Sequence, residues 1–208
     1  MRRVPLDTVT LAVLAGGVGS RMGRPKGTLE INGRPILEFL LERLDWSGPT
    51  LLVTAPGREK PPGAGRFDRE VSDDVEGEGP LRGVYTAITH ATTHVVVVIA
   101  VDMPLIARTD VEWFVNELSA RPAAAGVMAS RGGGQVEPLP CALRPALALG
   151  LVSDHLASGR RALHGLANES EFKLAEAGDL PERSWVNVNT PAEWERFVRS
   201  IPGDAPGE

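Results

Sequence analysis

The chain has 208 residues, 42% of them hydrophobic, and a formal net charge of −5 at pH 7. That length suits one domain with a sizeable core, and the mild acidity argues against a broad nucleic-acid-binding face while leaving room for a local basic pocket. A single cysteine, Cys141, excludes an internal disulfide and is read as a small buried hydrophobe; no Cys/His spacing suits zinc, no apolar run is long enough to span a bilayer, and the N-terminus lacks a signal-peptide core.

In chain order, TVTLAVLA (8–15) reads as a buried strand running into glycines, and PILEFLLERL (35–44) as an amphipathic helix with Pro in its first turn. TLLVTA (50–55) is a second short strand. Residues 56–69 are rich in Gly, Pro and charge and read as a loop. LRGVYTAITHA (81–91) reads as helix, and HVVVVIAVD (94–102), with four consecutive valines, as the clearest buried strand. DVEWFVNELSA (110–120) is the next helix, with Asp110 near its start. The pattern then loosens. PLPCALRP (138–145) is a candidate strand with awkward prolines, RALHGLANE (161–169) a short helix, WVNVN (185–189) a short strand, and PAEWERFVRS (191–200) a terminal helix. Trp113, Trp185 and Trp194 are assigned to core packing, and Trp46 to the edge of the core. Alternating strands and helices imply a three-layer α/β/α domain, a mostly parallel sheet with helices on both faces, over 1–201. Residues 202–208 are expected to be a disordered tail.

Ligands of open α/β sheets bind beyond the carboxyl ends of strands. Two sharp features sit there: the stretch LAGGVGSRMGRPK (14–26) after the first strand, and Asp102-Met103-Pro104 after the valine strand. Glycines let backbone N–H groups approach phosphate with no Cβ in the way, and Arg21 and Lys26 supply positive charge. A Walker A loop would need Gly before its Lys, yet Lys26 follows Pro25; a dinucleotide fingerprint would need Gly where Met22 stands. A structural glycine turn with solvated charges is the alternative. Asp102 fits a turn former or, opposite a phosphate loop, an oxygen ligand for Mg²⁺.

The pattern L-A-G-G-x-x-S-R-M-G-x-x-K resembles the signature of the nucleotidyltransferase family that includes the molybdenum cofactor guanylyltransferases. Three further segments are similar to that family's motifs, in the same order: Gly79-Pro80-Leu81-Arg82-Gly83, Asp102-Met103-Pro104 and Asn187-Val188-Asn189-Thr190-Pro191. The resemblance implies a Rossmann-like α/β nucleotidyltransferase fold and Mg²⁺-dependent transfer of GMP from GTP to molybdenum-bearing molybdopterin, releasing pyrophosphate. It implies that Leu14, Ala15, Gly16 and Gly17, with Ser20, hold the nucleotide, and that Lys26 binds phosphate. Asp73, chosen over Asp74 for its spacing to Gly79, contacts the nucleotide beside Gly79, Pro80 and Leu81. Arg21, Lys26 and Asp102 carry the chemistry, Asp102 holds the metal, and Asn187, Asn189, Arg160 and Arg161 lie on the pterin side. Arg160 and Arg161 fit a solvated helix start equally well. The L-A-G-G form resembles the guanylyl rather than the cytidylyl branch. Gly19, Glu137 and Ala55-Pro56-Gly57 depart from the family pattern. They leave room for CTP, for another phosphorylated acceptor, or for a GTP-binding adaptor without turnover. The expected setting is a cytoplasmic monomer, with apo-molybdoenzymes as partners and neither nucleic acid nor membrane.

Overall fold

A strand that is apolar at every position must be covered on both faces. The computed structural model, which describes residues 4–17, 21–75 and 77–201, supplies that cover. Its strands are Val9–Leu14 (β1), Glu30–Ile31 (β2), Arg34–Pro35 (β3), Thr50–Thr54 (β4), Arg69–Ser72 (β5), Val95–Ala100 (β6), Gly126–Arg131 (β7), Gln135–Leu143 (β8) and Phe172–Glu176 (β9). Its α-helices are Ile36–Leu44 (α1), Pro80–His90 (α2), Arg108–Ser119 (α3), Pro145–Ala157 (α4) and Pro191–Ser200 (α5). The main sheet has seven strands in the order β5-β4-β1-β6-β8-β7-β9. β1 pairs in parallel with β4 and β6, β4 with β5, and β7 with β9; β8 alone runs antiparallel, to both β6 and β7.

Successive strand residues point to opposite faces, and the two cores follow that rule. Leu11, Val13, Val97 and Ile99 pack with α1, α3 and α5 through Ile36, Leu40, Phe114, Leu118 and Phe197. Ala12, Val96 and Val98 pack on the other face with α2 and α4 through Leu81, Val84, Ala148 and Val152. The expected three-layer Rossmann-like architecture is therefore present. Trp185 and Trp194 are buried, Trp113 is half-buried and edge-on to Phe114, and Trp46 donates its indole N–H to Val9 O. Burial pushes the Cys141 thiol up to about 12, as suits a core hydrophobe.

Several expectations are corrected. Residues 56–69 contain a short 3-10 turn, Ala64–Arg66, and end in β5, an edge strand too exposed to show an apolar pattern. β7, β9 and α4 were absent from the sequence reading. α4 leaves Leu147 and Leu149 exposed, so it has no clean apolar stripe, while β9 is an outer strand with Lys173 and Leu174 exposed. The prolines of 138–145 are resolved by a register shift: Met128 faces Cys141 and Ala129 faces Glu137, so residues 138–140 stand out of the ladder. Residues 186–189 form no strand. They follow a 3-10 turn, Glu182–Trp185, and Val188 makes a single backbone bond to Asp102 O. The short helix at 161–169 is a 3-10 helix, Leu163–Asn168. Pro35 caps α1 rather than entering it. β2 and β3 form a small hairpin turned by Asn32 and Gly33, both at positive φ. The tail, 202–208, lies outside the described residues.

Candidate active site

Moving outward from β1 the sheet adds β4 and β5 on one side and β6 on the other, so the order reverses beside β1. Past the carboxyl ends of these strands lies a cavity of about 420 Å³, within the range of roughly 300–1,000 Å³ usual for small-molecule sites. Its lining carries three cations, Arg21, Lys26 and Arg82, and three carboxylates, Asp73, Glu78 and Asp102.

The glycine turn is shaped by a close approach. Ala15 N–H donates to Val53 O at 2.8 Å, drawing the exits of β1 and β4 together. A Cβ on Gly16 would lie 2.9 Å from Ala55 N, so only glycine fits there without movement. Gly16, Gly17 and Leu14 line the cavity, and Arg21 stands exposed at its edge. Ala15 is buried beneath the turn and does not line it. Ser20 lies outside the described residues.

Lys26 opens a 3-10 turn, Lys26–Thr28, entered through Pro25. Its ammonium donates to Asp102 Oδ2 at 2.5 Å and to Asn189 Oδ1 at 2.6 Å. Asp102 is held by its neighbours: Val101 N–H donates to Leu14 O at 3.0 Å, and Val188 N–H to Asp102 O at 2.9 Å. Asn189 is placed by the start of α5. Thr190 caps the helix, Pro191 takes its first position, and Glu193 reaches back to accept from Asn189 N–H at 2.8 Å and Thr190 N–H at 3.0 Å. Those bonds hold the Glu193 carboxyl below its usual range. The Asn-Thr-Pro spelling is thus a helix start that aims one amide at Lys26.

On the other side of the cavity, Asp73 N–H donates to Thr54 O at 2.9 Å and the side chain turns inward. Burial raises its carboxyl above the ordinary range, and the Thr86 hydroxyl and Arg82 only partly oppose this. Asp73 Oδ1 is buried without a hydrogen-bond partner. Gly79 caps α2 with φ at +74°, a conformation that favours glycine. It has no side chain to satisfy the first-turn N–H groups of α2, and such groups attract anions. Pro80 lines the cavity, whereas Leu81 is fully buried in the core under α2.

The expected pterin-side residues divide. Asn189 is in the site. Asn187 is exposed, bonds back to Trp185 O at 3.2 Å and does not line the cavity. Arg160 is pinned to Ser158 and Glu169, and Arg161 reaches Glu78 at 3.5 Å. Both arginines are exposed and outside the lining, although the backbone O of Arg161 sits beside Gly79. Sequence reasoning missed Glu78, just before α2, and Arg82, in its first turn, which pair with each other and both line the cavity. Their spacing of four was the available signal. It also missed Leu139, brought to the cavity by the register shift in β8.

Among the described residues no helix is long and apolar enough to cross a membrane, and no three His, Cys, Asp or Glu cluster as a metal set.

The chain is 33% identical over 185 residues to the probable molybdenum cofactor guanylyltransferase of Deinococcus radiodurans, covering 89% of this chain and 91% of that one. It is 29% identical to the molybdenum cofactor guanylyltransferase of Shewanella halifaxensis, covering 94% and 96%. Its fold matches the solved molybdopterin-guanine dinucleotide biosynthesis protein A of Archaeoglobus fulgidus, with a TM-score of 0.76 at 22% identity over 91% of this chain and 97% of that one. A model of the MobA-like NTP transferase domain matches residues 11–171, which include the glycine turn, Lys26, Asp73 and Asp102. The chain belongs to the MobA-like NTP transferase family.

Proposed function

We propose that this chain transfers GMP from GTP to molybdenum-bearing molybdopterin, releasing pyrophosphate, and that residues 1–201 act as one nucleotidyltransferase domain. The observation that carries the reading is the meeting of Lys26, Asp102 and Asn189 at one cavity beside the glycine turn. The names of the relatives favour the guanylyl branch.

The reaction is a displacement at phosphorus. A terminal phosphate oxygen of the pterin attacks the α-phosphorus of GTP, the new P–O bond forms, and the bond to the β-phosphate oxygen breaks with its electron pair leaving on pyrophosphate. An anionic phosphate needs no protein nucleophile, so the chain's work is positioning and charge stabilisation. Gly16, Gly17 and the first turn of α2 offer N–H groups and close backbone approach. The Asp73 carboxylate, at the cavity wall, offers an acceptor for a nucleoside N–H or O–H. Lys26 and Arg21 offset phosphate charge. Asn187, Asn189, Arg160 and Arg161 belong to the acceptor side.

Asp102 is the cavity carboxylate that would hold Mg²⁺, and it could do so only with the Lys26 ammonium, which now bridges Asp102 Oδ2 and Asn189 Oδ1, turned toward phosphate. Mg²⁺ characteristically takes one or two carboxylates together with substrate phosphates. Bound there, the ion would supply charge neutralisation at the phosphates. The wider setting we propose is a cytoplasmic monomer that hands its product to apo-molybdoenzymes.

Calorimetry with GTP, CTP, ATP and UTP, each with and without Mg²⁺, tests the reading. Selective GTP binding, followed by pyrophosphate release with molybdopterin, is expected. Preference for CTP would move the chain to the cytidylyl branch. No binding of any nucleotide by folded protein would overturn the site.

A further inference from the structure

We propose that Asp110 is a positioning residue for the acceptor side of this site, holding the segment that carries Asn189 against Asp102. The inference rests on the proposed transferase reading for its link to turnover, but not for its geometry.

Asp110 is buried at the third position of α3, 1% exposed. An acid at that position needs only to accept from the cap residue, and Asp110 Oδ2 does so from Ala107 N–H at 2.9 Å. The same oxygen also accepts from Arg183 Nη1 at 3.0 Å and from the Ser184 hydroxyl at 2.8 Å. These two residues lie more than seventy positions further along, on the turn that leads into the acceptor segment. One carboxylate oxygen therefore ties two lengths of chain. The first is the loop after Asp102; the second is the run from Ser184 to Asn189.

The tie is braced from a third element. Arg43 of α1 donates to Ile106 O at 3.1 Å and Leu105 O at 3.3 Å, and Arg183 also reaches Leu105 O at 3.4 Å. Burial and the charge of Arg183 lower the Arg43 pKa, and Asp110 opposes that shift. The carboxylate thus offsets the repulsion between the two guanidinium groups. Between this knot and the reacting groups there is no strand ladder. The run from 186 to 189 meets the turn after β6 through Val188 N–H on Asp102 O, and Asn189 then meets Lys26. With so few bonds of its own, the run takes its position from the buried Val188 side chain and from its two ends, the Asp110 tie and the α5 capping box.

Asp110→Asn keeps size and one acceptor but removes the charge; Ser184→Ala removes one donor and serves if the first variant does not fold. Amide exchange by NMR reads the geometry without substrate: the Val188 N–H should exchange about tenfold faster or more, while β4 amides hold their protection. Calorimetry should leave GTP affinity within about twofold, and turnover should fall about tenfold. In an Asp110→Asn/Asn189→Ala double variant that loss should not add to the loss from Asn189→Ala alone. Unchanged Val188 exchange overturns the proposal, and so does full additivity in the double variant. Failure of the parent to bind GTP would instead overturn the transferase reading, and the Val188 result would still decide this one.

Discussion

The two sides of the sheet about β6 handle the ligand differently. On the β1, β4 and β5 side the strands are all parallel, and the cavity wall joins close backbone approach, at the glycine turn, the exit of β4 and the cap of α2, to the charges of Arg21, Lys26, Asp73, Glu78 and Arg82. On the β8, β7 and β9 side the chain reverses direction, and the site receives side chains carried on irregular runs, Leu139 from the shifted stretch of β8 and Asn189 from a segment outside any ladder. Close backbone approach beside fixed charges suits a constant group such as a triphosphate. Side chains on irregular runs suit the part of the reaction that differs between relatives. That division can be broken experimentally from either side.

The largest effect is expected where the two sides meet. Asp102→Asn keeps an oxygen for Lys26 but removes the charge, and pyrophosphate release should fall by about 10²–10³-fold with the thermal midpoint nearly unchanged. Near-normal turnover with Mg²⁺ would remove Asp102 from its role. Next comes the backbone wall. Gly16→Ala places a methyl against Ala55 N and should cost about 1–3 kcal/mol of stability by overpacking, with weaker binding of every nucleotide alike. Denaturant titration and calorimetry read both; selective loss of one base would show that the turn reads the base rather than the phosphates.

Asp73→Asn sharpens the comparison by trading stability against binding. The native carboxyl titrates above its ordinary range because it is buried. The folded chain therefore holds that proton to higher pH than the unfolded one, and stability falls as pH rises from about 3.9 through the raised native value. Above that window the full loss remains. Removing the charge should make the variant the more stable protein at pH 7, with the advantage shrinking toward pH 3, while GTP binds more weakly. Denaturant midpoints at the two pH values decide it; an equal gain at both would show that burial of the charge is not the cause. Smallest is Arg161→Ala, which breaks an exposed contact to Glu78 and should change stability by about 0–1 kcal/mol. Acceptor KM should rise while GTP affinity stays put; a change in GTP affinity instead would move Arg161 to the nucleotide side.

Legibility in the sequence follows the same division. β1, β4, β6 and α1 to α3 announce themselves because each buries a continuous or periodic apolar face. β5 and β9 sit at the two edges, where exposure dilutes the pattern, and α4 is apolar nearly all round, so its helical period does not stand out. The site shows the same contrast. Gly16, Lys26 and Asp102 are legible because their chemistry is unusual at a strand exit. Leu81 and Ala15 were assigned to the nucleotide with the motifs that contain them, yet both are buried beneath the residues that line the cavity. Glu78 and Arg82 were hidden because opposite charges four apart ordinarily make a solvated surface pair, whereas here Glu78 stands before the cap of α2 and faces the cavity with Arg82.

The Lys26–Asn189 contact joins residues 163 positions apart. Closing a loop of that length is entropically costly and is repaid only late in folding, after the sheet between them is built. A chain still emerging from the ribosome with Asn189 unmade can display the glycine turn and Lys26 but not the finished site. On the proposed assignment of Asn189 to the acceptor side, turnover would report completed folding, and a partly folded chain that captured nucleotide would hold it without an acceptor site.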